Sequence, residues 1–98
     1  MSFAHGRRLK RQMPSVRLHG PLAARAAGGS HHAADGATVG EVLEALERAR
    51  PGLRGWLLDE RRRLRPHLAA FVGGEAAGVG TPVAAGDRVD VVQAISGG

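Results

Sequence analysis

The residues best suited to chemistry close the chain, where Ala94-Ile95-Ser96 runs into Gly97-Gly98. Two glycines put an α-carboxylate on the thinnest and most flexible stem a chain offers, able to enter a narrow tunnel in another protein without side-chain clash. An ionised carboxylate, with a pKa of roughly 3.5 in a free chain terminus, accepts a thiol or amine only after one of its oxygens becomes a leaving group, for instance by adenylation. The expected reacting group is therefore Gly98, with Gly97 as its stem. No Gly-rich loop followed by Lys and Ser/Thr is present, so the chain has no phosphate-binding loop of that kind of its own.

Two other clusters have chemical potential. His31-His32 carries metal-ligand side chains, but adjacent residues on a strand point to opposite faces, so the pair does not share an ion and solvated histidines are expected. Neither a metal nor a cofactor site is expected in this chain. Arg61, Arg62, Arg63 and Arg65 form the densest basic cluster. A short charge run is usually solvated, and aromatic stacking support is thin, so a loop is expected here in preference to an RNA or acidic-partner site.

Ninety-eight residues, 43% of them hydrophobic, make one small domain. With no Cys there is no disulfide framework, thiol nucleophile or thiolate site, and a reducing cytoplasm fits. The longest wholly apolar run, residues 68–72, falls far short of the ~20 residues of a membrane span. The net charge of +5 owes four cations to Arg7, Arg8, Lys10 and Arg11, so residues 14–98 carry ten basic against nine acidic side chains, or +1. That distribution argues against a nucleic-acid partner. Residues 1–13 read as a basic, disordered leader, residues 14–95 as the domain and residues 96–98 as a flexible tail.

The elements that must position the tail follow from hydrophobic period. Ser15-Val16-Arg17-Leu18-His19 alternates as a half-buried strand with Val16 and Leu18 inward, and Ser30–Ala34 is its hairpin partner, with no element expected between them. Thr38 and Glu41 make a capping box in which the Thr38 hydroxyl takes the Glu41 amide and the Glu41 carboxylate the Thr38 amide. Val39, Val42, Leu43 and Leu46 fall on one stripe of the helix that follows, with Glu41, Glu44, Glu47 and Arg48 opposite, and Pro51-Gly52 stops it. Leu53, Trp56, Leu57 and Leu58 suggest a helical turn laying Trp56 over one end of the core. Strands are expected at Leu68–Val72, ending in the Gly73-Gly74 turn, and at Val89–Val92, with a short edge piece at Val79–Val83.

One main helix between two hairpins, packed on one face of a mixed four- to five-stranded sheet, is an α+β domain of β-grasp, ubiquitin-like architecture. Strand parity then has a consequence on the other face. With Leu68, Ala70 and Val72 turned to the helix, Phe71 points outward, and so does Val92 between inward Val89 and Val91 and the tail. Phe71, Val92 and Ala94 lead to Ile95, Ser96 and the glycines, flanked by Arg17 and His19. This reads as a docking face for a partner protein.

Over residues 15–98 the chain resembles the MoaD/ThiS family of ubiquitin-like sulfur carriers. The resemblance rests on Val16-Arg17-Leu18, Thr38-Val39-Gly40-Glu41-Val42-Leu43, Arg50-Pro51-Gly52-Leu53, Leu64-Arg65-Pro66-His67-Leu68, Phe71-Val72-Gly73-Gly74-Glu75, Thr81-Pro82-Val83, Gly86-Asp87-Arg88-Val89 and Gly97-Gly98. The family usually has Asn where Gly73 stands and Pro where Gln93 stands. Length is closer to the molybdopterin-synthase small subunit or the carrier of cysteine synthesis than to the shorter thiamin carrier.

The resemblance implies a carrier and not an enzyme, of the kind that can serve as the small subunit of a sulfur-transferring complex. A ubiquitin-activating-like adenylyltransferase/sulfurtransferase adenylates Gly98 with ATP, and a persulfide displaces AMP. The thiocarboxylate then donates sulfur to an accepting enzyme of the molybdopterin synthase large-subunit, cysteine synthase, or thiosugar or thiazole synthase type. The alternative is a ubiquitin-like modifier joined through Gly98 to lysines of target proteins. A third reading, an adaptor that does not use its terminus, predicts indifference to loss of Gly97-Gly98.

Overall fold

The computed structural model describes residues 13–94. Along the chain these form β1 (Ser15–Leu18), α1 (Pro21–Arg25), β2 (His31–Ala33), α2 (Val39–Ala49), a 3-10 turn (Pro51–Leu53), β3 (Leu68–Val72), β4 (Glu75–Ala77) and β5 (Arg88–Gln93). The five strands make one sheet in the order β2-β1-β5-β3-β4. β1 and β5 run parallel in its middle, and the other pairings are antiparallel. The expected β-grasp arrangement is therefore present.

The main helix forms where the sequence places it. Thr38 Oγ1 accepts the Glu41 amide at 3.2 Å, and Val39, Val42, Leu43 and Leu46 are all buried. Each such side chain removed from water contributes about 1.5–3 kcal/mol. They share one core with Val16, Leu18, Leu68, Ala70, Val89 and Val91 of the sheet, and Leu22, Leu53, Leu57 and Leu58 extend it beyond the strands. The reciprocal half of the capping box differs. The Glu41 carboxylate accepts from Ala37 N at 2.8 Å, one residue ahead of the expected Thr38 amide, so the chain before the helix is also tied down.

Further expectations are corrected. The connection between β1 and β2 holds α1, started by Gly20 at φ 63° and Pro21, with Leu22 buried beneath it. The edge strand is β4, not Val79–Val83. Gly73 and Gly74, both at positive φ, turn the chain straight back so that Val72 pairs with Glu75. Left-handed backbone at two successive residues is what a tight two-residue hairpin demands. The Val79–Val83 segment instead crosses the start of α2, where Gly40 N donates to Val79 O at 2.8 Å and Val39 N to Thr81 O at 2.9 Å. Glycine suits so close a crossing, because a Cβ on Gly40 would stand 3.0 Å from Val79 O and press the crossing segment outward.

Trp56 does not cover the core. Leu53, Leu57 and Leu58 are buried there, while Trp56 is 41% exposed, with the Arg25 guanidinium 3.5 Å from its ring centroid. Nor are both histidines solvated. His31 is exposed, but His32 is only 9% exposed. His32 Nε2 donates to Gly29 O at 2.7 Å, and Arg50 Nε approaches Nδ1 at 3.5 Å.

The connection from α2 to β3 is more ordered than a solvated run of arginines. Glu47, expected on the open side of α2, is half-buried and accepts the amides of Leu57 and Leu58 at 3.0 Å each. Arg61, Arg62 and Arg63 are exposed as expected, yet Asp59 gathers the amides of Arg61 and Arg63, and Arg62, at φ 64°, reaches back to pair with Glu44. The Arg63 amide leads in holding the Asp59 carboxyl below its ordinary range, with the Arg61 amide and nearby guanidinium charges adding to it. No described helix is long and apolar enough to cross a membrane.

Candidate functional site

The sheet buries one face against α2, and its other face holds the residues expected to dock. Register places Arg17 beside Asp90, Asp90 opposite Phe71, and Phe71 opposite Ala76, while Val92 stands opposite Ala69. Phe71 and Val92 are half-buried and stand outside the buried core. The outer face thus has an apolar half on β3, β4 and the end of β5, and a polar half towards β1.

Asp90 organises the polar half. Its carboxylate accepts from His19 Nε2 at 2.9 Å through Oδ1 and from Arg88 Nε at 3.1 Å through Oδ2. Partial burial pushes its pKa up, and the hydrogen bonds from His19 and Arg88 together with their charge outweigh that, leaving the carboxyl below its ordinary range. Arg17, next to it on β1, is half-buried, and its Nε is out of water without a hydrogen-bond partner among the described residues. Sequence reasoning misses Asp90 although the signal is there, because Asp90 alternates with Val89 and Val91 and so must share the face of Phe71 and Arg17.

The structure brings Phe71, Val92, Arg17 and His19 to this one face, with exposed Ala94 following where β5 leaves the sheet. Ala94 is held at that point by its amide, which donates to His67 O at 2.8 Å. Ile95, Ser96, Gly97 and Gly98 lie outside the described residues. Among the described residues there is no group of three or more His, Asp or Glu side chains able to hold a metal ion. The groove beside α2, about 320 Å³, is lined by charges of both signs: Glu44 pairs with Arg62, Glu47 and Asp59 accept main-chain amides, and Arg48, Arg54 and Glu60 stand at its exposed margin.

Known proteins share this fold. A curated relative, small archaeal modifier protein 1 of Haloferax volcanii, is 39% identical over 62 residues, which covers 63% of this chain and 71% of the relative. The crystal structure of that Haloferax volcanii protein superimposes with a TM-score of 0.75 at 34% identity, covering 88% of this chain and 99% of the other. A crystal structure of the BexX/CysO complex of Amycolatopsis orientalis contains a chain matched with a TM-score of 0.74 at 26% identity, covering 86% of this chain and 98% of that one. The model of the ThiS family matches residues 16–98, from the first strand through the final glycines. Because that match takes in both the ubiquitin-like sheet and the glycines beyond its last strand, the chain belongs to the ThiS family.

Proposed function

We propose that this protein is a sulfur carrier working through the Gly98 carboxylate. The observation that carries the reading is that the family match continues through Gly97-Gly98, beyond the strand that ends beside the apolar half of the outer face. In the proposed cycle a partner adenylyltransferase binds ATP, and the Gly98 carboxylate attacks the α-phosphate to give an acyl adenylate and pyrophosphate. The terminal sulfur of a partner persulfide then forms a bond to the acyl carbon as AMP leaves. A second partner thiol cleaves the sulfur–sulfur bond, leaving a thiocarboxylate on Gly98 and a disulfide on the partner.

The chain contributes position rather than catalysis. Phe71, Val92 and Ala94 supply the apolar contact, Arg17 and His19 its polar margin, and Ile95, Ser96 and Gly97 the stem that crosses into the partner's site. The thiocarboxylate then donates sulfur to an accepting enzyme in a cytoplasmic pathway of cofactor, cysteine or secondary-metabolite synthesis. A second reading, conjugation of Gly98 to lysines of other proteins, is favoured by the 39% identity to a protein named as a modifier.

ATP–pyrophosphate exchange with the cognate adenylating enzyme, followed by intact mass measurement, tests both. Exchange with wild type, its loss in Gly97→Val at unchanged fold, and a product in which one oxygen is replaced by sulfur are expected. A ladder of protein conjugates without that product supports the modifier. Wild-type exchange by Gly97→Val, and by a chain with one Ala added after Gly98, overturns both and leaves an adaptor.

A further inference from the structure

We infer that Arg25, Trp56 and Arg65 form a second contact, outside the outer sheet face, for an acidic surface on the adenylating enzyme that takes the tail. The inference rests on the carrier reading above. Its starting point is the outward tryptophan: a large aromatic ring left 41% exposed, yet held by a guanidinium stacked 3.5 Å from its centroid. A stacked arginine keeps its N–H donors at its planar edge, free for carboxylates, while the ring limits the side-chain freedom otherwise lost on binding.

The patch stands where the tail leaves. β1 and β5 are parallel, so α1, which follows β1, lies at the end of the sheet where β5 finishes. A Cβ on Gly20, which starts α1, would stand 3.8 Å from Oε1 of Gln93, the last residue of β5. Gly52 brings the 3-10 turn against the end of α1, since a Cβ there would run into the Arg25 carbonyl oxygen. Arg65 Nε donates to Gly55 O at 2.8 Å, which fixes a second cation beside the residue preceding Trp56. Two residues after Arg65, His67 O accepts the amide of Ala94. Contacts thus run from Ala94, the last described residue, to the stacked pair.

Charge selects the occupant. Residues 17–31, 48–58 and 61–68, which build this end, contain neither Asp nor Glu, although residues 14–98 are nearly neutral as a whole. Of the acids flanking these segments, Glu47 is held by the Leu57 and Leu58 amides and Asp59 by the Arg61 and Arg63 amides, while Glu60 is exposed. A cationic patch with an aromatic centre beside the exit of an anionic terminus attracts a carboxylate-bearing partner surface and steers its approach.

The test is adenylation kinetics with the full chain and its cognate adenylating enzyme. Arg25→Glu and Trp56→Ala are each expected to lower kcat/KM roughly tenfold at low salt with kcat retained, as for loss of steering and contact without loss of chemistry. Arg25→Lys should keep most of the charge effect and lose the stacking share. The wild-type advantage should shrink as salt rises from about 50 to about 500 mM. Thermal midpoints near wild type separate these effects from unfolding. Wild-type kcat/KM in both variants, while Gly97→Val remains inactive, overturns the patch and leaves the carrier reading standing. Absence of adenylation in wild type removes both. Binding of a single-stranded RNA oligonucleotide that Arg25→Glu abolishes, with adenylation unchanged, also overturns the inference and assigns the patch to nucleic acid.

Discussion

The two faces of this sheet are made by the same strands and have opposite fates. On β3 and β5, Leu68, Ala70, Val89 and Val91 are sealed beneath α2, while Ala69, Phe71, Asp90 and Val92 alternate with them on a face that no described element covers. The difference separates buried from accessible side chains along a single run of backbone. One face can be altered only by opening the core, and the other without disturbing it.

The largest expected effect tests the sealed face. Leu46→Ala should lower the unfolding free energy by about 2–5 kcal/mol, read from urea denaturation midpoints, because a buried large-to-small change loses transfer energy and leaves a cavity. Next is Glu47→Ala, which strands the amides of Leu57 and Leu58 and should cost about 1–3 kcal/mol in the same assay. A neutral result there would mean that the covering loop holds itself. Phe71→Ala reverses the pattern. Its cost to folding should fall well below the ~3–5 kcal/mol of a buried Phe truncation, whereas calorimetric titration with the adenylating enzyme should show a loss of about 1 kcal/mol or more in binding. Unfolding by this substitution would place Phe71 in the core and erase the distinction between the faces.

Asp90 offers a finer cut. Its folded pKa is depressed, so its stabilising contribution is present above the unfolded value of roughly 3.9 and is lost as pH falls through the folded value. Urea midpoints of wild type and Asp90→Asn should therefore differ at about pH 6 and converge in strong acid, well below about pH 4. Smallest of all, Glu44→Ala removes a surface pair with Arg62 and should change stability by less than about 0.5 kcal/mol.

What is legible in the sequence depends on how local its cause is. α2 carries its cap, its stripe and its stop within one segment, and strand alternation places Val16, Leu18, Leu68, Ala70, Val89 and Val91 inward, so both the fold and the outward Phe71–Val92 pair can be read. α1 has five residues and no side-chain cap at Gly20, too little for a period to show. β4 is Glu75-Ala76-Ala77, which has no alternation; only the Gly73-Gly74 turn before it announces a returning strand. Residue type alone turns Trp56 inward, but its ring is met by Arg25 from a distant segment, and that pairing exists only after folding. His32 hides for a related reason, because Gly29 O supplies the partner that lets it leave water.

The parallel pairing of β1 with β5 also governs how the molecule is made. With β5 inserted between β1 and β3, residues 15–77 alone form two hairpins with no strand to join them. Contacts of such long sequence separation slow closure of the sheet, and a chain leaving the ribosome at about 5–20 residues per second cannot close it until β5 emerges. Nascent chains short of β5 therefore carry a half-built sheet whose outer face is divided between two separate hairpins.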